Sequence, residues 1–367
     1  MHRISVSNLF GSNQPARGAN VHAWEHPPIV DLCTVEADYG HLLALTSDGA
    51  LVGMNLDTGI CNRLCSVALP ALQQGSEGVY FSAPGYGLHA SSDGRYAAVV
   101  VDRGREGIVV EVATGTPTMR LDGGDYHQGT VPFSACFLSH RGRDLLVHRT
   151  AWNRLDVADP VTGKSLTERD DEAADHHLDY FHGQLRPNPD GSRLFDDGWV
   201  WHPVSMPRAW SVRDWLETNP WESEDGTSAV YLTTREDWGF AACWIDNRHV
   251  AIWGLANWDG EEFQETAQGP GVRILDATQR EQSSERRLAM DLDEARVVDL
   301  FSDGVHLYVA SLDGTTIWHI ESGKQVAEFS EFTARLHHRG RKALIAIRPG
   351  EILEFPVRDW ADGDSER

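Results

Sequence analysis

The chain is poor in cysteine, in basic residues and in long apolar runs. Its five cysteines, Cys33, Cys61, Cys65, Cys136 and Cys243, form no C-x-x-C pair and leave an odd one over. That pattern argues against a disulfide framework or a zinc knuckle and suits a reducing cytoplasm, which is the expected location. No stretch approaches the roughly 20 apolar residues needed to span a bilayer, and residues 1–22 lack the apolar core of a signal peptide. Lysine and arginine number 32 against 55 aspartates and glutamates, a formal net charge of -23. Such a field repels phosphate backbones and anionic lipid surfaces, so neither nucleic acid nor membrane is an expected partner. Familiar catalytic patterns are missing too: there is no G-x-S-x-G, P-loop, H-E-x-x-H or EF-hand loop.

What the chain does have is punctuation. From Ala295, "ARVVDLFSDGVHLYVASLDGTTIWHIESGKQVAEF" alternates short apolar runs with turns at Asp303-Gly304, Asp313-Gly314 and Ser322-Gly323. Runs such as "VHLYVA" and "TTIWHI" are β-branched and aromatic, too short and too regularly interrupted for helices. Asp-Gly favours two-residue hairpins because both positions take positive φ, so the unit reads as a four-stranded antiparallel meander. The same grammar recurs with first-turn markers Gly40, Gly94, Gly142, Gly191, Asn247, Gly304 and Gly340, spaced 36–57 residues apart. Seven units follow. The last has three strands, while the N-terminus offers an orphan segment, "RISVSNLF", at residues 3–10. A missing strand at one end and a spare one at the other predict a ring closed by an N-terminal strand.

The expected fold is therefore all-β: a seven-bladed β-propeller of four-stranded antiparallel blades with one short helical insertion. Its approximate blades cover 28–68, 78–121, 130–168, 178–216, 238–289, 294–329 and 331–358 plus 3–10, within a single domain spanning 1–360. A polar tail occupies 361–367. The recurring "SSDGR", "NPDGSR" and "FSDG", with "DTG", "ATG", "VTGK" and "ESGK" after third strands, resemble bacterial WD40-like and YVTN- or quinoprotein-like propeller repeats. The Trp-Asp dipeptide of WD40 third strands is replaced by "NLDTG", "EVATG", "VADPVTG" and "HIESG". The Trp that follows Thr-Gly-Lys in quinone-binding propellers is missing from "TGKSLTER", so the resemblance implies no cofactor.

Function is expected where the repeat breaks. Residues 203–239 form a tryptophan-rich insertion, and Trp199, Trp201, Trp210, Trp215, Trp221 and Trp238 stand in or beside it. Ser211 is placed to cap a short helix "VRDWLET" that stops at Asn219-Pro220. These rings either glue the insert onto blade edges or, with arginines beside them, form a partner-binding rim; exposure decides between the two. The expected partner-binding residues are Trp210, Arg213, Trp215, Trp221, Arg208, His176 and His177, and the expected partner is another protein or peptide. A second break, Ala256 to Gly271, is a long acidic loop.

The stretch "DEAADHHLDYFHG" invites a metal reading, because histidine nitrogens and carboxylates are metal ligands. His176 and His177 are adjacent and point apart in an extended segment, while His127 falls at the equivalent place in the preceding unit. A structural loop is the expectation, with no metal. The alternative function is a hydrolase or lyase acting on a small molecule or glycan in the central channel. His127, His182, Gln184, Arg186, Arg335 and His337 are its candidate residues.

Overall fold

The computed structural model describes residues 18–72, 84–129, 132–170, 176–201, 204–236, 239–255, 269–282, 284–292 and 296–357. Its turns are stitched by their own side chains. Ser91 Oγ donates to Asp93 at 2.8 Å, Asp93 accepts the Arg95 N–H at 3.0 Å, and Gly94 takes a φ of +69°. Thr46 donates to Asp48 at 2.6 Å ahead of Gly49 in the same manner. Where arginine replaces the aspartate, Arg141 itself adopts a φ of +51° before Gly142. Local side-chain hydrogen bonds of this kind hold the hairpin without help from distant residues.

Seven antiparallel sheets result, the fold of a seven-bladed β-propeller. The first runs Ile29–Ala37, Gly40–Thr46, Ala50–Asn55, Ile60–Ser66, and the second Gly85–Ala90, Tyr96–Asp102, Glu106–Glu111, Thr116–Asp122. The third holds Ala135–His140, Arg143–Ala151 and Arg154–Ala158, with a single bridge from Ala158 to Ser165 where a fourth strand would pair. In the fourth, Phe181–Pro187, Arg193–Trp201, Arg208–Ser211 and Val230–Tyr231 lie in order, while Val204–Ser205 and Arg235–Glu236 pair at the far end of the second strand. The fifth is Ala242–Trp244, His249–Trp253, Gly271–Asp276, Arg286–Ala289, and the sixth Val297–Ser302, His306–Ser311, Gly314–His319, Lys324–Phe329. No helix among the described residues is long and apolar enough to cross a membrane.

The chain groups into two compact units: Pro27–Gly239 with the first four sheets, and Met1–His26 with Phe240–Arg367, which carry the other three. Within the larger unit, Val35, Leu43, Leu45, Leu51, Leu88, Val99 and Val110 form one apolar cluster from the facing sides of two sheets. Each such side chain removed from water contributes about 1.5–3 kcal/mol. Side-chain carboxylates join the sheets as well: Asp31 accepts the Leu88 N–H at 2.7 Å, and Asp102 accepts that of Phe133 at 2.9 Å.

The seventh sheet is built from both ends of the chain: Leu336–His338, Ala343–Arg348 and Glu351–Pro356 are completed by Asn20–Ala23. Residues 3–10, which the sequence nominates for that place, lie outside the described residues. The strand found there pairs Asn20 with Glu354 and Ala23 with Glu351. Glu354 is buried and serves as its clasp, accepting from Arg341 at 2.9 Å and Asn20 at 3.3 Å, with the His22 ring at 3.4 Å. Replacing Glu354 by alanine removes the acceptor shared by three polar groups. We expect Glu354→Ala to cost about 1.5–3 kcal/mol in denaturant unfolding and to accelerate amide exchange selectively at residues 20–23.

Candidate functional site

The third sheet sets up the site because its outer strand needs hydrogen-bond partners. The Leu155 carbonyl accepts from Arg169 at 2.9 Å, the Val157 N–H donates to Thr167 Oγ1 at 3.0 Å, and the Val157 carbonyl accepts the Leu166 N–H at 2.7 Å. An irregular segment and one arginine thus replace a fourth strand. Arg169 is almost fully buried; its guanidinium pairs with Asp156 at 2.7 Å and with Glu224, and lies 5.0 Å over the Trp221 ring.

Glu224 belongs to a short helix from residues 203–239, which prove less of an insertion than expected. They supply the third and fourth strands of the fourth sheet and two helices, α1 (Val212–Glu217) and α2 (Glu222–Asp225). Ser211 caps α1 as its position predicts, accepting the Asp214 N–H. Three of the expected partner-binding residues are turned inward by this arrangement. Trp210 and Trp215 are 0% and 1% exposed and meet edge to face at 5.7 Å. Arg208, also 0% exposed, donates to the Glu224 and Ser223 carbonyls and lies 4.5 Å over the Tyr180 ring. Their role is packing, because the fourth sheet must bury its third strand. Arg213 stays exposed, 3.6 Å from Glu217. Trp221 is half-buried and stacks on His176 at 4.5 Å and 14°, while His176 Nδ1 lies 2.8 Å from Asp225. That contact pins the loop that carries exposed His177.

His177 leads to an aromatic surface that no repeat pattern marks. Its ring lies 6.2 Å from Trp152, which is 5.2 Å from Tyr126 and 4.7 Å from Phe181; Phe181 stacks on Trp199 at 4.4 Å. Phe181 and Trp199 are each 7% exposed and form the floor, whereas Tyr126 is 54% exposed. His127, also exposed and at a φ of +47°, packs edge-on to Tyr126 at 4.5 Å. Polar side chains hold the adjoining turns. Arg149 reaches the Gly104 carbonyl at 2.6 Å and lies 5.0 Å over Phe133, and burial lowers its pKa to about 10. Asn153 donates to the Leu178 carbonyl at 2.8 Å, tying the Trp152 turn to the chain entering the fourth sheet. Start of a first strand, end of a second strand and second-to-third turn all fall at one end of a meander, which is why residues so far apart in sequence meet. The available signal was an aromatic residue at each of those places, in "DYHQ", "TAWNR" and "DYFHG".

Within the larger unit, the channel candidates His127, His182, Gln184 and Arg186 sit in different surroundings. His182 sits 2.7 Å from Asp196, both 0% exposed, beyond the reach of a substrate. Gly183 permits this inward turn, since a Cβ there would fall on the Asp197 carbonyl. Burial pushes the Asp197 carboxyl up while Arg235, at 2.5 Å, pulls the other way. Gln184 is exposed and accepts from Arg186 at 3.1 Å, and His127 belongs to the aromatic surface. Arg335 and His337 lie in the other compact unit, and burial and the Arg339 charge lower the His337 pKa to about 4. Among the described residues no group of three or more histidine, cysteine, aspartate or glutamate side chains is arranged to hold a metal ion.

No protein-family model and no curated protein matches the sequence. Solved structures do resemble it. U3-55K superposes with a TM-score of 0.55 at 12% identity, covering 94% of this chain and 100% of that one. The RRP9 WD40 repeats give 0.54 at 13%, covering 94% and 99%, and a chain of the Mitotic Checkpoint Complex gives 0.54 at 12%, covering 95% and 99%. The likeness is one of fold. At such identities it carries the propeller and not the roles of individual residues.

Two outcomes follow from the buried charges. Arg169→Ala removes the buried cation shared by the Asp156 and Glu224 carboxylates, and should lower unfolding free energy by about 3–5 kcal/mol in chemical denaturation. His337 contributes fully above pH ~6.5; as the pH falls toward about 4 the unfolded chain takes up a proton that the folded one resists, and stability is lost. His337→Gln should flatten the melting temperature over that window, visible in a pH series of thermal scans.

Proposed function

We propose that this protein is a non-catalytic propeller scaffold that binds a protein or peptide partner through the surface bearing Tyr126, His127, Trp152 and His177. The observation that carries the reading is an aromatic layer with a buried floor and an exposed top, at one end of the third and fourth sheets. Aromatic rings held rigid by neighbours lose little entropy on contact and dominate interface energetics. His176 and Trp221 extend the surface toward α2, and Arg213 lies exposed on α1. One of the similar propellers is a chain within a Mitotic Checkpoint Complex, in keeping with a role in assembly.

The test separates surface from core. Tyr126→Ala combined with Trp152→Ala should abolish co-purification of the partner, and Tyr126→Ala alone, at an exposed position, should weaken it while shifting the melting temperature by no more than a few degrees. Trp215→Ala should instead cost about 3–5 kcal/mol of stability, as a large buried ring does. Retention of the partner by the double variant would refute the assignment.

A further inference from the structure

We infer that the partner segment received by this surface is positively charged, with a lysine or arginine side chain lying over the rings of Tyr126 and Trp152. The inference rests on the partner-binding reading above and adds the chemistry of the partner. Aromatic faces carry negative quadrupole density and attract ammonium and guanidinium groups. Phe181 and Trp199 fill the space beneath, so the Tyr126 and Trp152 rings are backed by other rings rather than left to collapse inward.

Charge points the same way. Asp125 precedes Tyr126, and Asp179 lies two residues before Phe181; both are exposed. The arginines along these loops are already engaged, Arg105 with Asp122 and Arg154 with Asp156, while Arg149 is buried. An anionic partner would approach these carboxylates against the field of a chain with a net charge of -23. A purely apolar partner would cover them without compensation. A basic segment satisfies both the rings and the carboxylates.

The experiment is calorimetric titration of the full chain with a glycine-serine peptide bearing one arginine and one lysine, in parallel with its glutamate counterpart and a single-stranded DNA oligomer. The basic peptide should bind and the other two should not. Tyr126→Ala with Trp152→Ala, which leaves the charge unchanged, should weaken binding about tenfold. Asp125→Asn with Asp179→Asn should weaken it several-fold and reduce its salt dependence. Tyr126→Ala alone, at an exposed position, serves where the double variant folds poorly. Equal affinity in the aromatic variants would overturn the inference, since diffuse attraction to an acidic surface would then suffice; so would preference for the glutamate peptide or the DNA. If a partner is lost by the aromatic double variant yet the segment that cross-links beside Trp152 carries no lysine or arginine, the charge inference fails while partner binding stands. If the partner is retained, the underlying reading fails instead.

Discussion

The outer edge of the third sheet is the constraint from which the site follows. A strand edge displays N–H and C=O groups that cost free energy if buried unpaired and invite foreign strands if exposed. Here residues 165–169 and the Arg169 guanidinium satisfy that edge. A guanidinium buried for this purpose needs its own compensation, which Asp156 supplies from the sheet and Glu224 from α2. The second carboxylate anchors the polypeptide that forms the fourth sheet's outer strands, so one unpaired edge fixes where the tryptophan-bearing segment packs.

With that segment anchored, the aromatic residues divide. Trp210 and Trp215 close over the apolar side of the fourth sheet beside Leu194 and Val212. Trp221 stops halfway, between Arg169 below and His176 above. His176 then holds the loop whose next residue, His177, faces Trp152. The aromatic surface is thus positioned by a chain of packed groups that ends in a buried charge pair, which makes a rigid platform out of loop residues. The cost of the buried charges is offset by geometry, since every Asp156 oxygen has a donor: Thr150, Arg154, Thr167 or Arg169.

Legibility was uneven for a physical reason. Turns stitched by Asp, Ser, Thr and Gly within a few residues, as at Ser91–Asp93 and Thr46–Asp48, are local and can be read directly. So can the Ser211 cap of α1. The closing strand is a pairing over more than 300 residues, Asn20 with Glu354, and no local pattern distinguishes it from its neighbours. The fourth sheet's outer strands were masked by tryptophans that suggest an insertion, since a buried and an exposed tryptophan look alike in sequence.

Composition and turn spacing by themselves determined a β-meander repeated seven times, because hairpin chemistry acts within a few residues. The tertiary structure alone decided which aromatic side chains face water. Exposure is a property of what packs against a residue, and for Tyr126, Trp152, Trp210 and Trp215 the packing partners lie in other strands, turns and sheets.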